Sequence, residues 1–251
     1  MENGNVNLKI NDGIAEVEFS HPMSNSLPGK VLNKLAKTIE QAGNDDGVKV
    51  IVLKSEGKRA FCAGASFDEL AQIRDEASGK EFFMGFARVI NAMRKCPKFI
   101  IARVQGRAVG GGVGLAASAD YVFATGYSSV KLSELDLGIG PFVVGPAVER
   151  KIGTAAFSAM SIDVDWYSPE WALEKGLFNQ VFNNADGLDS ELNKFARRLA
   201  SGSVKAMAEL KKVIWEGTEN WDELLEGRAE ISGKLVISDF TKKYIADFKS
   251  K

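Results

Sequence analysis

A run of glycines limits what this chain can fold into more than any other feature. Gly106-Arg107-Ala108-Val109-Gly110-Gly111-Gly112-Val113-Gly114-Leu115 lies between Phe99 to Val104, which reads as a buried strand, and a helix of small residues over Gly114 to Ala119. A second loop of similar character, Phe61-Cys62-Ala63-Gly64-Ala65-Ser66-Phe67-Asp68-Glu69-Leu70, also delivers the chain into a helix start. There Ser66, with Glu69 three residues on, predicts a capping box with Ser66 as N-cap. Helix N-termini carry unpaired N–H groups and a partial positive charge. Two such ends converging on one point would make an oxyanion hole, and small side chains are needed where a ligand must touch backbone. A plainer reading stays open: the glycines let a helix pack tightly on a strand.

Around these loops, strands alternate with helices. Ala15 to Phe19 alternates apolar and polar, as a half-buried strand does, and a turn over His21 to Ser26 leads to a helical stretch with Leu32, Leu35 and Ile39 on one face. Val48 to Leu53 and Tyr121 to Ala124 read as further strands, Phe61 to Ala65 as a loop, and Glu81 to Arg94 as a helix stopped by Pro97. This alternation predicts an α/β fold with largely parallel pairing. From Ser168 onward the pattern turns helical. Ser168-Pro169-Glu170 makes a helix start and Gly176 a stop, followed by amphipathic segments at Leu188 to Leu199, Val204 to Trp215 and Leu224 to Phe248.

Composition narrows the chemistry. At 251 residues and 45% hydrophobic the chain can bury a full core, and a formal charge of −1 gives no electrostatic case for nucleic acid or an anionic membrane surface. Met1 to Asn7 lacks the pattern of a signal peptide, and no apolar run approaches the roughly 20 residues that span a bilayer. A soluble, cytoplasmic protein is expected. The single histidine, His21, removes His-rich zinc sites and leaves any Ser/His/Asp triad dependent on one turn residue. No metal site is expected. Cys62 has no evident base and reads as a buried, inert thiol. The Gly106 loop lacks the Gly-Lys-Ser/Thr ending of a phosphate-binding loop and the spacing of a dinucleotide fingerprint.

Taken together, the two loops in this order and separation resemble the crotonase (enoyl-CoA hydratase/isomerase) superfamily. The resemblance also includes His21-Pro22 with Asn25-Ser26-Leu27, Ser133 to Gly140, and Ala172-Leu173-Glu174-Lys175-Gly176-Leu177. It implies a ClpP/crotonase-like core of repeated ββα units in a spiral, over residues 1–195, with a helical C-terminal trimerisation region over 196–251. It implies an acyl-CoA thioester substrate, no cofactor beyond the coenzyme A carried by that substrate, and a homotrimer or hexamer. By position, the N–H groups of Ala65 and Gly111 would bind the thioester carbonyl. Ala63, Gly64, Ser66, Phe67 and Gly110 would line the CoA path, Phe248 would pack near the nucleotide, and Lys251 would meet a CoA phosphate.

Hydratases of the superfamily use two glutamates. The first would fall at Gly114, three residues past Gly111, which has no side chain; the second falls twenty residues later at Glu134. Addition of water is best served by two groups holding one water, whereas moving a double bond from the 3,4 to the 2,3 position needs one base that takes a proton from C2 and returns it at C4. Glu134 in an apolar pocket would have its pKa raised toward neutrality. Isomerisation is therefore favoured over hydration, with a catalytically weak acyl-CoA-binding homologue as a further alternative. Asp136 and Asp68 are candidate substitute carboxylates that read more simply as solvated or capping residues. Met23 stands where a longer polar residue often faces CoA.

Overall fold

The computed structural model describes residues 4–249. Its larger sheet has six strands in the order β1 (Asn5–Asn11), β2 (Ile14–Ser20), β3 (Val50–Ser55), β5 (Phe99–Val104), β7 (Tyr121–Thr125) and β9 (Gln180–Phe182). A smaller sheet holds β4 (Ala60–Cys62), β6 (Arg107–Val109) and β8 (Val130–Lys131). Only β1 and β2 pair antiparallel, through a hairpin whose Asp12 and Gly13 sit at φ 50° and 78°. All the other ladders are parallel.

Parallel neighbours require crossovers; β2 reaches β3 through α1 (Gly29–Asn44) alone, and the three later crossovers of the large sheet repeat one unit. A strand of the large sheet passes to a strand of the small sheet and then to a helix. Thus β3 and β4 lead to α2 (Phe67–Leu70) and α3 (Glu76–Lys95), β5 and β6 to α4 (Gly111–Ser118), and β7 and β8 to α5 (Gly145–Ile152). The chain is the expected spiral of ββα units. The short β4, β6 and β8 escaped the periodicity reading because two or three residues carry no measurable period. The segment read as a loop at Phe61 to Ala65 therefore begins inside a strand.

The apolar runs at β3 and β5 follow from burial on both faces. Ile51, Leu53, Ile100 and Ala102 point to the main core, with Leu32, Leu35 and Ile39 of α1 (Gly29–Asn44). Val50, Val52 and Ile101 point the other way, under α8 (Ala185–Ala200), which presents Leu188, Leu192, Ala196 and Ala200 as a stripe spaced by four. That helix runs unbroken through residue 195. α3 starts five residues earlier than its apolar periodicity suggested, at a reciprocal cap between Asp75 and Ser78. Ser66 does cap α2 by accepting from Glu69 N–H, but the return arm of the expected box is absent. The Glu69 carboxylate instead accepts Gly29 N–H at 2.7 Å, supplying the start of α1, whose N-cap Pro28 has no side-chain acceptor.

Helices α6 (Thr154–Asp163), α7 (Pro169–Glu174), α9 (Val204–Ile214), α10 (Trp221–Val236) and α11 (Asp239–Lys249) complete the chain. The segment Leu224 to Phe248, read as one amphipathic stretch, is two helices, parted where Ser238 Oγ accepts Thr241 N–H. α10 lies along α3 of the same chain. Their backbones touch at Gly79 and Gly233, where a β-carbon on Gly79 would stand 2.9 Å from Gly233 Cα.

Candidate active site

The turn after β2 places the first loop. Asn25, at φ 57°, donates from Nδ2 to the carbonyls of Glu56 and Ala60 at 2.7 and 3.0 Å and accepts His21 N–H at 3.0 Å. His21 Nδ1 lies 3.0 Å from Ser26 Oγ, so this histidine braces the turn. Leu27 then bridges to the loop in parallel fashion: its N–H donates to Gly64 O at 2.7 Å and its carbonyl accepts Ser66 N–H at 3.3 Å. A bridge of this kind uses the groups flanking Ala65 and turns Ala65 N–H to the opposite side.

The second loop arrives from β6. Gly110, at φ 51° and ψ −114°, donates its N–H to Lys131 O at 2.8 Å and accepts from Val113 and Gly114 at the start of α4. Gly111 N–H, the first of that helix, is left over. Among the described residues, neither Ala65 N–H nor Gly111 N–H is paired with an acceptor. The loops meet at Gly64, φ 84°, where a β-carbon would stand 2.9 Å from Val109 O and 3.6 Å from Gly111 N.

Glu134 reaches the same point from the turn after β8. Its carbonyl accepts Leu137 and Ile139 N–H, which fixes the backbone. The residue as a whole is partly exposed, yet its Oε2 is buried with no hydrogen-bond partner. Burial pushes the carboxyl up to about 7, against the opposing pull of backbone hydrogen bonds from its own and Ser133 N–H groups. A carboxyl so placed exchanges protons near neutrality.

A cavity of about 50 Å³ joins these groups, lined by Ala63, Gly64, Ala65, Gly110, Gly111 and Glu134 on its polar side. Phe83, Phe86, Leu137, Phe142 and Val144 supply an apolar wall. Phe83 and Phe86 come from α3, Phe142 and Val144 from the segment before α5 and Leu137 from the turn after Glu134, joined by Ser232 of α10, which no sequence signal marked. Ala63, Ala65 and Phe67 also line an outer groove of about 520 Å³, together with Met23, Ser66, Asp68, Phe248 and Lys249. The Phe67 and Phe248 rings stack at 4.4 Å and 29°, and Lys249 Nζ lies 2.7 Å from Asp68 Oδ1. The structure thus assembles the expected residues in two connected spaces; Lys251 lies outside the described residues.

The two candidate substitutes for a second carboxylate do not line the cavity, in keeping with their simpler reading. Asp136 is half exposed and 3.6 Å from Lys131, and Asp68 belongs to the outer groove. Cys62 accepts Gly64 N–H through Sγ, and burial pushes its thiol up to about 12, which keeps it protonated. Among the described residues, no group of three or more His, Cys, Asp or Glu side chains is placed to hold a metal ion, and no helix is long and apolar enough to cross a membrane.

Two unpaired N–H groups beside one neutralisable carboxyl, in a largely apolar cavity, can stabilise a developing oxyanion and move a proton next to it. The family model described as "Enoyl-CoA hydratase/isomerase" matches residues 9–249, and the chain belongs to that family. It is 26% identical over 254 residues to the short-chain-enoyl-CoA hydratase of Clostridium acetobutylicum, covering 100% of this chain and 97% of that protein. It is 22% identical over 249 residues to the trans-2-decenoyl-(acyl-carrier-protein) isomerase of Streptococcus mutans, covering 96% and 94%. The fold superposes on the crystal structure of an enoyl-CoA hydratase from Bacillus halodurans with a TM-score of 0.88 at 21% identity, covering 96% of this chain and 99% of that one.

Proposed function

We propose that this enzyme shifts the double bond of an enoyl-CoA thioester from the 3,4 to the 2,3 position. The N–H groups of Ala65 and Gly111 hold the thioester oxygen as charge develops on it. Glu134 removes a proton from C2 to give the enolate and returns it at C4. Coenzyme A enters as part of the substrate, through the outer groove, and the reaction uses no further cofactor. The observation that carries this reading is the carboxylate of Glu134: it is buried, unpartnered at Oε2 and in one cavity with both free N–H groups, with no other ionisable side chain among the described residues that line it. One group of this kind suits a proton shuttle better than the placement of a water.

The cavity also speaks to the acyl group. Among the described residues its lining holds no Lys, Arg or His, so these offer no partner to a second carboxylate on the substrate. An uncharged acyl chain fits it. Hydration of 2-enoyl-CoA is the second reading, favoured by the hydratase names among the relatives. Assays of purified enzyme with 3-enoyl-CoA and 2-enoyl-CoA separate the two. Isomerisation that disappears in Glu134→Ala while acyl-CoA binding persists supports the proposal, and full turnover in that variant defeats it.

Assembly as a homotrimer, or a pair of trimers, in the cytoplasm is part of the same reading. Leu210, Val213 and Ile214 of α9 are 53%, 58% and 44% exposed, which gives the C-terminal region an apolar face for a neighbouring copy.

A further inference from the structure

Gly114 and Val144 compete for one space. A β-carbon on Gly114 would stand 2.5 Å from Val144 Cγ1 and 2.6 Å from Val144 Cβ, so nothing larger than hydrogen fits between α4 and this side chain. Val144 is 5% exposed and lines the cavity. Its position is set by backbone on both sides: its carbonyl accepts Val148 N–H at 3.1 Å, and the next residue, Gly145, donates to Pro141 O at 2.7 Å. Gly114 itself donates to Gly110 O, the residue against which the Glu134 carboxylate rests. The isopropyl group of Val144 is therefore wedged against the first turn of α4, one turn beyond the free Gly111 N–H.

This wedge brings no hydrogen-bonding group to the acyl site. A water held in a protein interior needs roughly two to four polar partners. Among the described residues the polar side chains lining the cavity are Ser133, Glu134 and Ser232; Ser232 Oγ already donates to Arg228 O at 3.2 Å, and with substrate bound the Ala65 and Gly111 N–H groups are taken by the thioester oxygen. We infer that Val144 is a specificity-determining residue that keeps water from the reacting acyl carbons, so that the 2-enoyl-CoA formed when C4 is protonated leaves without adding water. The inference rests on the isomerase reading. Two reactions are suppressed: hydration, in which water oxygen bonds to C3 and a proton to C2, and hydrolysis, in which water oxygen replaces the thioester sulfur and coenzyme A leaves as its thiol.

The test gives wild type, Val144→Ala and the near-isosteric Val144→Thr a 3-enoyl-CoA in 18O-labelled water, then separates 2-enoyl-CoA from 18O-bearing products. Both variants are expected to raise the ratio of labelled product to isomer at least tenfold, since a methyl-sized change in an apolar pocket carries roughly 10- to 200-fold discrimination. An unchanged ratio in both folded variants overturns the inference, as does a wild type whose main product carries label. If wild type makes no isomer yet exchanges C2 protons of bound acyl-CoA with solvent, the reaction class is wrong. The role of Val144 is then decided by whether label enters only in the variants. A stability cycle tests the wedge without turnover: Gly114→Ala lowers Tm in the wild-type background, and lowers it less in a Val144→Gly background, which removes both the Cγ1 and the Cβ that stand 2.5 and 2.6 Å from the added carbon. Additive shifts would overturn the shared space.

Discussion

The carboxylate of Glu134 rests on the backbone of Gly110, so close that a β-carbon at position 110 would stand 2.8 Å from Oε1. The proposed general base and the residue that opens α4 are thus in direct contact. Gly110→Ala must push the carboxylate aside and also hold an alanine at φ 51°, ψ −114°. Turnover should fall at least about a hundredfold, the lower end of what a placed acid/base contributes. The fold should lose roughly 1–3 kcal/mol to backbone strain. Steady-state kinetics and a urea titration on the same preparation check both.

The raised carboxyl of Glu134 makes activity and stability move in opposite directions with pH. As a base it must be ionised, so kcat/KM should climb as pH rises through about 7. A group whose folded pKa lies above its unfolded value binds a proton more tightly when folded, so stability is greatest below the ordinary carboxyl range and declines as pH rises through about 7. Going from 4.5 to about 7 corresponds to about 3 kcal/mol. Glu134→Gln should therefore abolish the pH step in activity and be more stable than wild type at pH 8. Unfolding curves at pH 5 and 8 decide it; equal pH dependence in both proteins would be incompatible with a buried ionised base.

Phe248 stacks on Phe67 at the outer groove. Aromatic pairs of this kind contribute about 0.5–1.5 kcal/mol, so Phe248→Ala should raise KM for a full acyl-CoA by about two- to tenfold and leave kcat nearly unchanged. The same variant should respond little with a substrate truncated to its pantetheine. A selective loss of kcat would place Phe248 elsewhere in the reaction.

Away from the site, Lys211 Nζ lies 2.7 Å from Asp120 Oδ2 and donates to Lys98 O, with the two side chains 3% and 5% exposed. Asp120 also accepts Ile100 N–H and Trp215 Nε1–H, so α9 is pinned to the end of β5. Lys211→Met should cost about 3–5 kcal/mol because it strands a buried carboxylate. Lys211→Met/Asp120→Asn should recover part of that in the denaturant midpoint.

Much of the architecture could be read from the chain because its long elements carry period. The stripe Leu32, Leu35, Ile39 and the double-faced run at Val50 to Leu53 declare themselves. The small sheet did not, since β8 is Val130 and Lys131 alone, and its existence depends on pairing with β6 rather than on its own composition. The Asp12-Gly13 turn, with both residues at positive φ, is a local signal of the β1–β2 hairpin. At the site, the two loops stood out through glycine placement, and Glu134 was marked only by the family resemblance. Val144 and Ser232 were not, because a valine and a serine become pocket walls only through tertiary contact. Glu69 misled for a similar reason: its spacing from Ser66 suits a box, but the start of α1 lies within its reach and offers an uncapped N–H.

The meeting of α3 and α10 at Gly79 and Gly233 sets the moment at which the site becomes whole. A chain still emerging from the ribosome at residue 220 already holds both loops and the glutamate, but neither Ser232 nor the ring that stacks on Phe67. It carries the reactive parts in an unroofed hollow. Final competence arrives with the last few turns of helix, and a chain ended prematurely before them would be left with that hollow open.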